Sequence, residues 1–522
     1  MNSFLRRTRA LRVRQEAALL AHDRPHPDQI SNSDENKYRN FIGNYHKGLR
    51  HDPGTGEVLR QDYVALLAAL NSGSHESFES LPETGVQLLR PLVNPQAGLA
   101  YDLEGPDAGA VTMPPAPAVD SAQTAGEAVE LYWMALLRDV KFRDYATNAD
   151  VATAAAELGG LTDFRGPRQG GNVTAQTLFR GSTPGDIVGP YVSQFLLLDI
   201  PYGTLTVNQR QFRAKAGVDY MTTWGDWLEV QNGEGQGTAG ADEFEPDAQY
   251  ISTGRDLATY VHFDALYEAY LNACLILLST GAPFDAGIPY GSGGRQTGFG
   301  TFGGPHILSL VTEVATRALK AVWHQKWLVH RRLRPEAYGG LVERVKNGAS
   351  YPLHADILDS EAADRVNTQH NSYLLPMAFP EGSPLHPAYG AGHATVAAAC
   401  TTILKAWFDE SFLIRDLNNY TAPGKHQGTI GSPQIPTADG LGLENYTGAD
   451  AALLTVGGEL DKVAANVAIG RNFAGVHWFS DYTGSIALGE EIAIRILQEQ
   501  KSTYNELGFL TLTKFDGTQM TI

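Results

Sequence analysis

Three separated segments of this sequence place cations, imidazoles and backbone amides where helices begin or end. The first runs Lys326-Trp-Leu-Val-His-Arg-Arg-Leu-Arg334-Pro335-Glu336. A proline disfavours helix at the residue before it, so Lys326 falls near a helix end and Arg334 in the turn that follows. The second, Ser383-Pro-Leu-His386-Pro-Ala-Tyr-Gly390-Ala391-Gly392-His393, leads into an apolar helical run. Small residues at 390–392 let backbone amides face a concavity, and the dipole of the new helix adds positive potential at the same point. The third is Gly470-Arg471-Asn-Phe-Ala-Gly475-Val-His477-Trp-Phe-Ser-Asp481. If helix starts at 477, His477 and Asp481 stand one turn apart. The carboxylate can then hold the Nδ1 proton and leave Nε2 as nucleophile or metal ligand.

Each segment alone is common. A basic run is usually a solvated face, glycines often precede helices, and a His–Asp pair is more often structural. In this order and on helix-forming sequence, however, they supply two arginines, a lysine, a helix N-terminus and two histidines. Such a set could enclose one tetrahedral or trigonal-bipyramidal oxyanion.

The elements that must position these groups are helical. Apolar residues recur at steps of three and four over 127–142, 257–278, 306–330, 393–408, 451–470 and 480–500, the last with Ser480–Asp481 where an N-cap should sit. Alternation is scarce. YGTLTV (202–207) and FLTLTKF (509–515) could make short strands or a hairpin. Irregular stretches at 105–126, 232–249 and about 418–450 read as a linker and long loops. The fold class is therefore mostly α, a large helical bundle with minor short β-strands. An N-terminal segment and oligomerisation arm, 1–120, is expected to pack on a helical core, 121–522.

With 58 acidic against 40 basic residues among 522, the formal charge is −18. That balance argues against nucleic acid or anionic membranes as partners, and any anion site must be a local basic pocket. No apolar run approaches the ~18 residues of a membrane span. The N-terminus has five arginines between Arg6 and Arg14 but no apolar core of a secretory signal. The expected location is cytoplasmic or unassigned. The arginines could grip an acidic neighbouring subunit or simply end a solvated helix. Cys274 and Cys400 lie in apolar, helix-like surroundings and read as buried thiols.

The three segments resemble the signature shared by vanadium haloperoxidases and the type 2 phosphatidic acid phosphatases. Similarity to algal and bacterial bromoperoxidases extends to NFIGNYHKGLRHDPGTGEV (40–58), HFDALYEAYLNACLILL, TGFGTFGGPHILSLV and VAIGRNFAGVHWFSDYTG, roughly residues 36 to 500. The resemblance implies a vanadate cofactor with His477 as its metal ligand. Lys326, Arg334 and Arg471 would neutralise its oxygens, Gly392 would donate an amide, and His393 would act as acid–base. It further implies Trp323 and His386 on the halide side, and Asp264 and Asp481 as orienting carboxylates.

Two departures stand out. The family's usual serine is here Ala391, which removes one donor from the cofactor-binding segment. A calcium site is doubtful, because PYGSGGRQTGFG (289–300) holds no carboxylate. The activity implied is oxidation of bromide or iodide by hydrogen peroxide, with an organic acceptor halogenated by the product. Lys326 would polarise the peroxide and vanadium would act as a Lewis acid. A homo-oligomer, dimer or dodecamer, is also implied. The alternatives are a phosphatase using a phosphohistidine at His477, with His393 protonating the leaving group, and a non-catalytic oxyanion-binding oligomer.

Overall fold

The computed structural model describes every residue except 1–2, 86–88, 236–239 and 292–293, so part of the 232–249 loop and of the 289–300 stretch lies outside the described residues. Helix α1 (Ser3–Asp23) carries the five arginines and buries none of its residues. Helix α2 (Ala122–Leu137) starts at Ser121, whose side chain accepts the Thr124 N–H. The core continues with α3 (Gly254–Phe263), α4 (Glu268–Thr280), α5 (Gly304–His324), α6 (Pro335–Lys346), α7 (Gly392–Trp407), α8 (Val456–Phe473) and α9 (Phe479–Lys501).

Helix α7 is apolar on every side, and each of its residues except His393 is buried. A helix of that composition belongs at the centre. It packs on α5, α8 and α9, while α8 packs on α3. Gly489 lets α9 approach α7 closely, because a Cβ there would collide with the Thr395 carbonyl oxygen.

The small sheets are antiparallel hairpins: β1 (Ile200–Tyr202) with β2 (Leu205–Val207), β3 (Asn418–Ala422) with β4 (Lys425–Thr429), β5 (Gln434–Pro436) with β6 (Leu443–Asn445), and β7 (Thr511–Thr513) with β8 (Gln519–Thr521). Two of these hairpins fill the stretch from 418 to 450 that composition marks as loop.

Three local expectations need correction. The run 257–278 is not one helix. Asp264 ends α3 in extended conformation, and α4 leaves at 98°. Helix α5 passes into a π-helical turn, Gln325–His330, which Arg331 closes at φ 41°. The N-cap of α9 is Trp478, not Ser480–Asp481, so His477 precedes the helix. Asp481 is instead the third helical residue, and its carboxylate accepts the Trp478 N–H at 3.1 Å.

Cys274 and Cys400 are free and buried, and burial pushes the Cys274 thiol up to about 12. No single helix among the described residues is long and apolar enough to cross a membrane.

Candidate functional site

The π-helical turn carries Lys326 into the protein's centre, fully buried, where its Nζ donates to the carbonyls of Pro387 (2.7 Å) and Ala388 (3.1 Å). Eight residues later Arg334, the N-cap of α6, is held extended ahead of Pro335. Its guanidinium donates to the carbonyls of His386 (2.9 Å) and Val476 (2.7 Å), to His477 Nε2 (3.0 Å) and to His386 Nδ1 (2.9 Å). Arg471, in the last turn of α8, donates to the Val261 carbonyl at 2.7 Å, lies 5.8 Å over the Phe379 ring and buries an Nε with no partner among the described residues.

These three cations are buried, and among the described residues none has a carboxylate within 4.0 Å. Burial pulls Arg334 and Arg471 down to about 10 and drives the Lys326 ammonium well below its usual range, with Arg334 adding repulsion. Concentrated positive charge inside a net-negative protein is costly unless an anion joins it.

The hydrogen bonds fix the tautomer of His477. Asp481 Oδ2 lies 2.8 Å from His477 Nδ1, and a guanidinium can only donate to Nε2. The ring therefore carries its proton on Nδ1 and a lone pair on Nε2. Burial, then Arg334, Lys326 and Arg471, keep it neutral by holding its pKa far down. His386 Nδ1 lies 2.9 Å from Arg334 and 3.2 Å from the Pro387 carbonyl, so it accepts from the guanidinium in one tautomer and donates to the carbonyl in the other.

Behind Asp481 stands a network that the sequence reading missed. Arg332 donates to Asp481 Oδ1 (2.9 Å), Ser480 Oγ (2.7 Å) and Glu127 Oε2 (3.2 Å), and Ser480 Oγ donates to Glu127 Oε2 (2.7 Å). Its guanidinium covers the Trp478 ring at 4.8 Å. The available signals were Glu127 in a mostly apolar helix and the extra arginine of the Arg331–Arg332 pair.

A second brace was also missed. Buried Lys47 reaches Glu336 Oε1 at 2.6 Å, and Glu336 Oε2 accepts the Ser383 N–H. It joins the segments that carry Arg334 and His386.

Trp323 and His386 meet at 4.8 Å between ring centres, and Lys326 Nζ lies 5.6 Å over the Trp323 ring. Gly392 fits the same corner because a Cβ there would stand 3.1 Å from Trp323 Cζ3. The N-terminus of α7 opens here, and its first amides have no intrahelical acceptor. The Ala391 N–H is already taken by Ser485 Oγ at 2.7 Å, and Ala391 offers no side-chain cap.

At the next position His393 is part-exposed, with Nε2 3.0 Å from Asp264 Oδ1. Burial raises Asp264, but His393 and Arg471 more than offset it and hold the carboxyl below its usual range. Nε2 therefore donates, and Nδ1 is left to take or give a proton.

The structure thus links Lys326, Arg334, His386, Trp323, Gly392, His477 and Asp481 by direct contacts. Arg471 is close enough for its charge to depress both His477 and Lys326, and also acts on the His393–Asp264 pair.

The profile described as "VCPO second helical-bundle domain" matches residues 306–506. The vanadium-dependent bromoperoxidase of Corallina pilulifera is 41% identical over 98% of this chain and 97% of its own length. That of Ascophyllum nodosum is 34% identical over 94% and 87%. A solved structure described as the homohexameric second vanadate-dependent bromoperoxidase of Ascophyllum nodosum superposes with a TM-score of 0.92 at 31% identity, covering 100% of this chain and 91% of that one.

Proposed function

Because this chain belongs to the vanadium-dependent bromoperoxidase family, we propose that it uses hydrogen peroxide to oxidise bromide, and iodide, to a hypohalous acid-like species that halogenates organic acceptors. The carrying observation is the set Lys326, Arg334 and Arg471, buried together with no carboxylate within 4.0 Å among the described residues. A multiply charged oxyanion such as vanadate fits that set, the open amides of Gly392 and His393, and a neutral imidazole offering Nε2.

His477 Nε2 is the atom that would ligate the metal, with Arg334 exchanging its present hydrogen bond to that nitrogen for an oxyanion oxygen. Arginine suits such contacts because its planar fork grips two oxygens. Bound vanadate would supply a Lewis-acid centre that activates peroxide with no change in its own oxidation state. His393 would move a proton through Nδ1, with Asp264 fixing its ring through Nε2. Lys326 would supply positive charge to the bound oxyanion, and the Trp323–His386 corner would receive the halide. Asp481 keeps His477 in the ligating tautomer.

The chain assembles as a homo-oligomer. A hexamer, the state of the solved relative, replaces dimer and dodecamer as the size to test first. Helix α1, with no residue buried on its own chain, supplies an arm for that assembly.

Bromination of an indicator phenol with peroxide, with and without added vanadate, tests the activity. Chloride and iodide as alternative halides and a phosphate ester as alternative substrate complete the assay. Vanadate-dependent bromination is expected. Phosphate-ester hydrolysis without bromination would overturn the reading.

A further inference from the structure

We propose that Asp242, His262 and Glu381 form a second metal site, distinct in its ligands from the oxyanion pocket but neighbouring it on the Arg471 side, which takes one divalent transition-metal cation. His262 sits in the last turn of α3, Glu381 precedes the Ser383–His386 segment, and Asp242 comes from the irregular stretch before α3. Their nearest ligand atoms all lie within 4.8 Å of one another. His262 Nε2 stands 3.3 Å from Glu381 Oε1 and 3.9 Å from Asp242 Oδ2. With metal–ligand bonds of about 2.0–2.2 Å, a tetrahedral edge measures roughly 3.3–3.6 Å, so the three atoms need little movement to share one ion.

Three further observations point the same way. The His262 ring is clamped, stacked on Phe379 with centroids 3.8 Å apart and planes at 19°. Neither carboxylate approach to it is a hydrogen bond, although both fall within ion-pair range. Among the described residues, no lysine or arginine comes within 4.0 Å of either carboxylate, so two acids converge on one imidazole without a cation between them. Burial, reinforced by Arg471 and Arg90, pulls His262 down to about 3 and leaves a neutral ring with a lone pair. Burial and the neighbouring Glu381 push Asp242 up to about 6, as expected where like charges lack compensation.

The side chains are 15–22% exposed, shielded but reachable. One imidazole and two carboxylates suit zinc, cobalt or manganese, with water completing the shell. Such an ion would tie the end of α3, two residues before Asp264, to the loop that carries His386.

The test uses the full-length, vanadate-free protein, so it is independent of the bromoperoxidase reading. Zinc chloride is titrated calorimetrically, and cobalt(II) is followed by its visible absorption. One ion per chain is expected, with affinity at least tenfold weaker in Asp242→Asn and in Glu381→Gln. Both variants should keep the wild-type circular dichroism. No saturable binding, or binding by the variants as tight as by the wild type, would overturn the proposal. Should one variant fail to fold, the other still decides.

Discussion

His477 and Asp481 meet across the start of α9, with Nδ1 and Oδ2 2.8 Å apart, although only Asp481 belongs to the helix. The same carboxylate accepts the Trp478 amide and an Arg332 donor. Three donors on two oxygens make it a fixed acceptor, and the imidazole tautomer follows from it.

Replacing Asp481 by Asn offers His477 an amide N–H and so favours the wrong tautomer. Vanadate affinity and bromide oxidation should each fall about 10–100-fold, with the fold retained. Titration of vanadate against bromination rate reads both. An unchanged dissociation constant would refute the assigned role.

Arg332→Met leaves Asp481 and Glu127 buried without their cation. Breaking a buried pair from one side costs about 3–5 kcal/mol, which urea unfolding will show. Adding Glu127→Gln should recover part of the loss, because one uncompensated charge is then removed. Equal stability of the single and double variants would dismiss the network as an energetic unit.

Ala391→Ser places a hydroxyl where related enzymes carry one. A hydrogen bond to a charged group contributes about 1.5–3 kcal/mol, so vanadate should bind at least about tenfold tighter. Equilibrium dialysis of vanadium against both proteins measures this. Equal binding would mean that another donor already serves that oxygen.

Glu130, buried on α2 beside Glu127, is pushed up to about 8 by burial first and its neighbour second. Between pH 4.5 and 8 the unfolded chain releases this proton while the folded chain keeps it, so stability falls as pH rises through that window. The accumulated cost is on the order of 5 kcal/mol. Glu130→Gln should flatten that part of the stability–pH curve, and parallel curves for the two proteins would contradict it.

Local spacing made much of the site legible. Pro335 announced the extended Arg334, the small residues at 390–392 announced the helix start at Gly392, and the four-residue interval joined His477 to Asp481. The Arg332–Glu127 contact was not legible, because it spans 205 residues and Arg332 read as one more basic residue in a run. Nor was the break between α3 and α4. Apolar periodicity continues through Asp264-Ala-Leu-Tyr with no glycine or proline, and the turn is set by distant contacts such as Asp264 with His393. The one local cue is Glu268, whose carboxylate accepts the Ala265 N–H to start α4. The hairpins between 418 and 445 were hidden because their short, polar strands, none of them buried, carry no apolar alternation to read, whereas FLTLTKF (509–515) did signal β7.

The stretch 306–506 contains all three pocket cations and the histidines at 386, 393 and 477, yet Glu127 and Asp264 lie upstream of it. Severed there, the C-terminal part would keep Arg332 and His393 while losing an acidic counterpart of each. The segment that carries most of the candidate site is consequently no portable cassette. Recombination that swapped this segment between relatives would succeed only where the incoming and resident halves already agreed at those two acids.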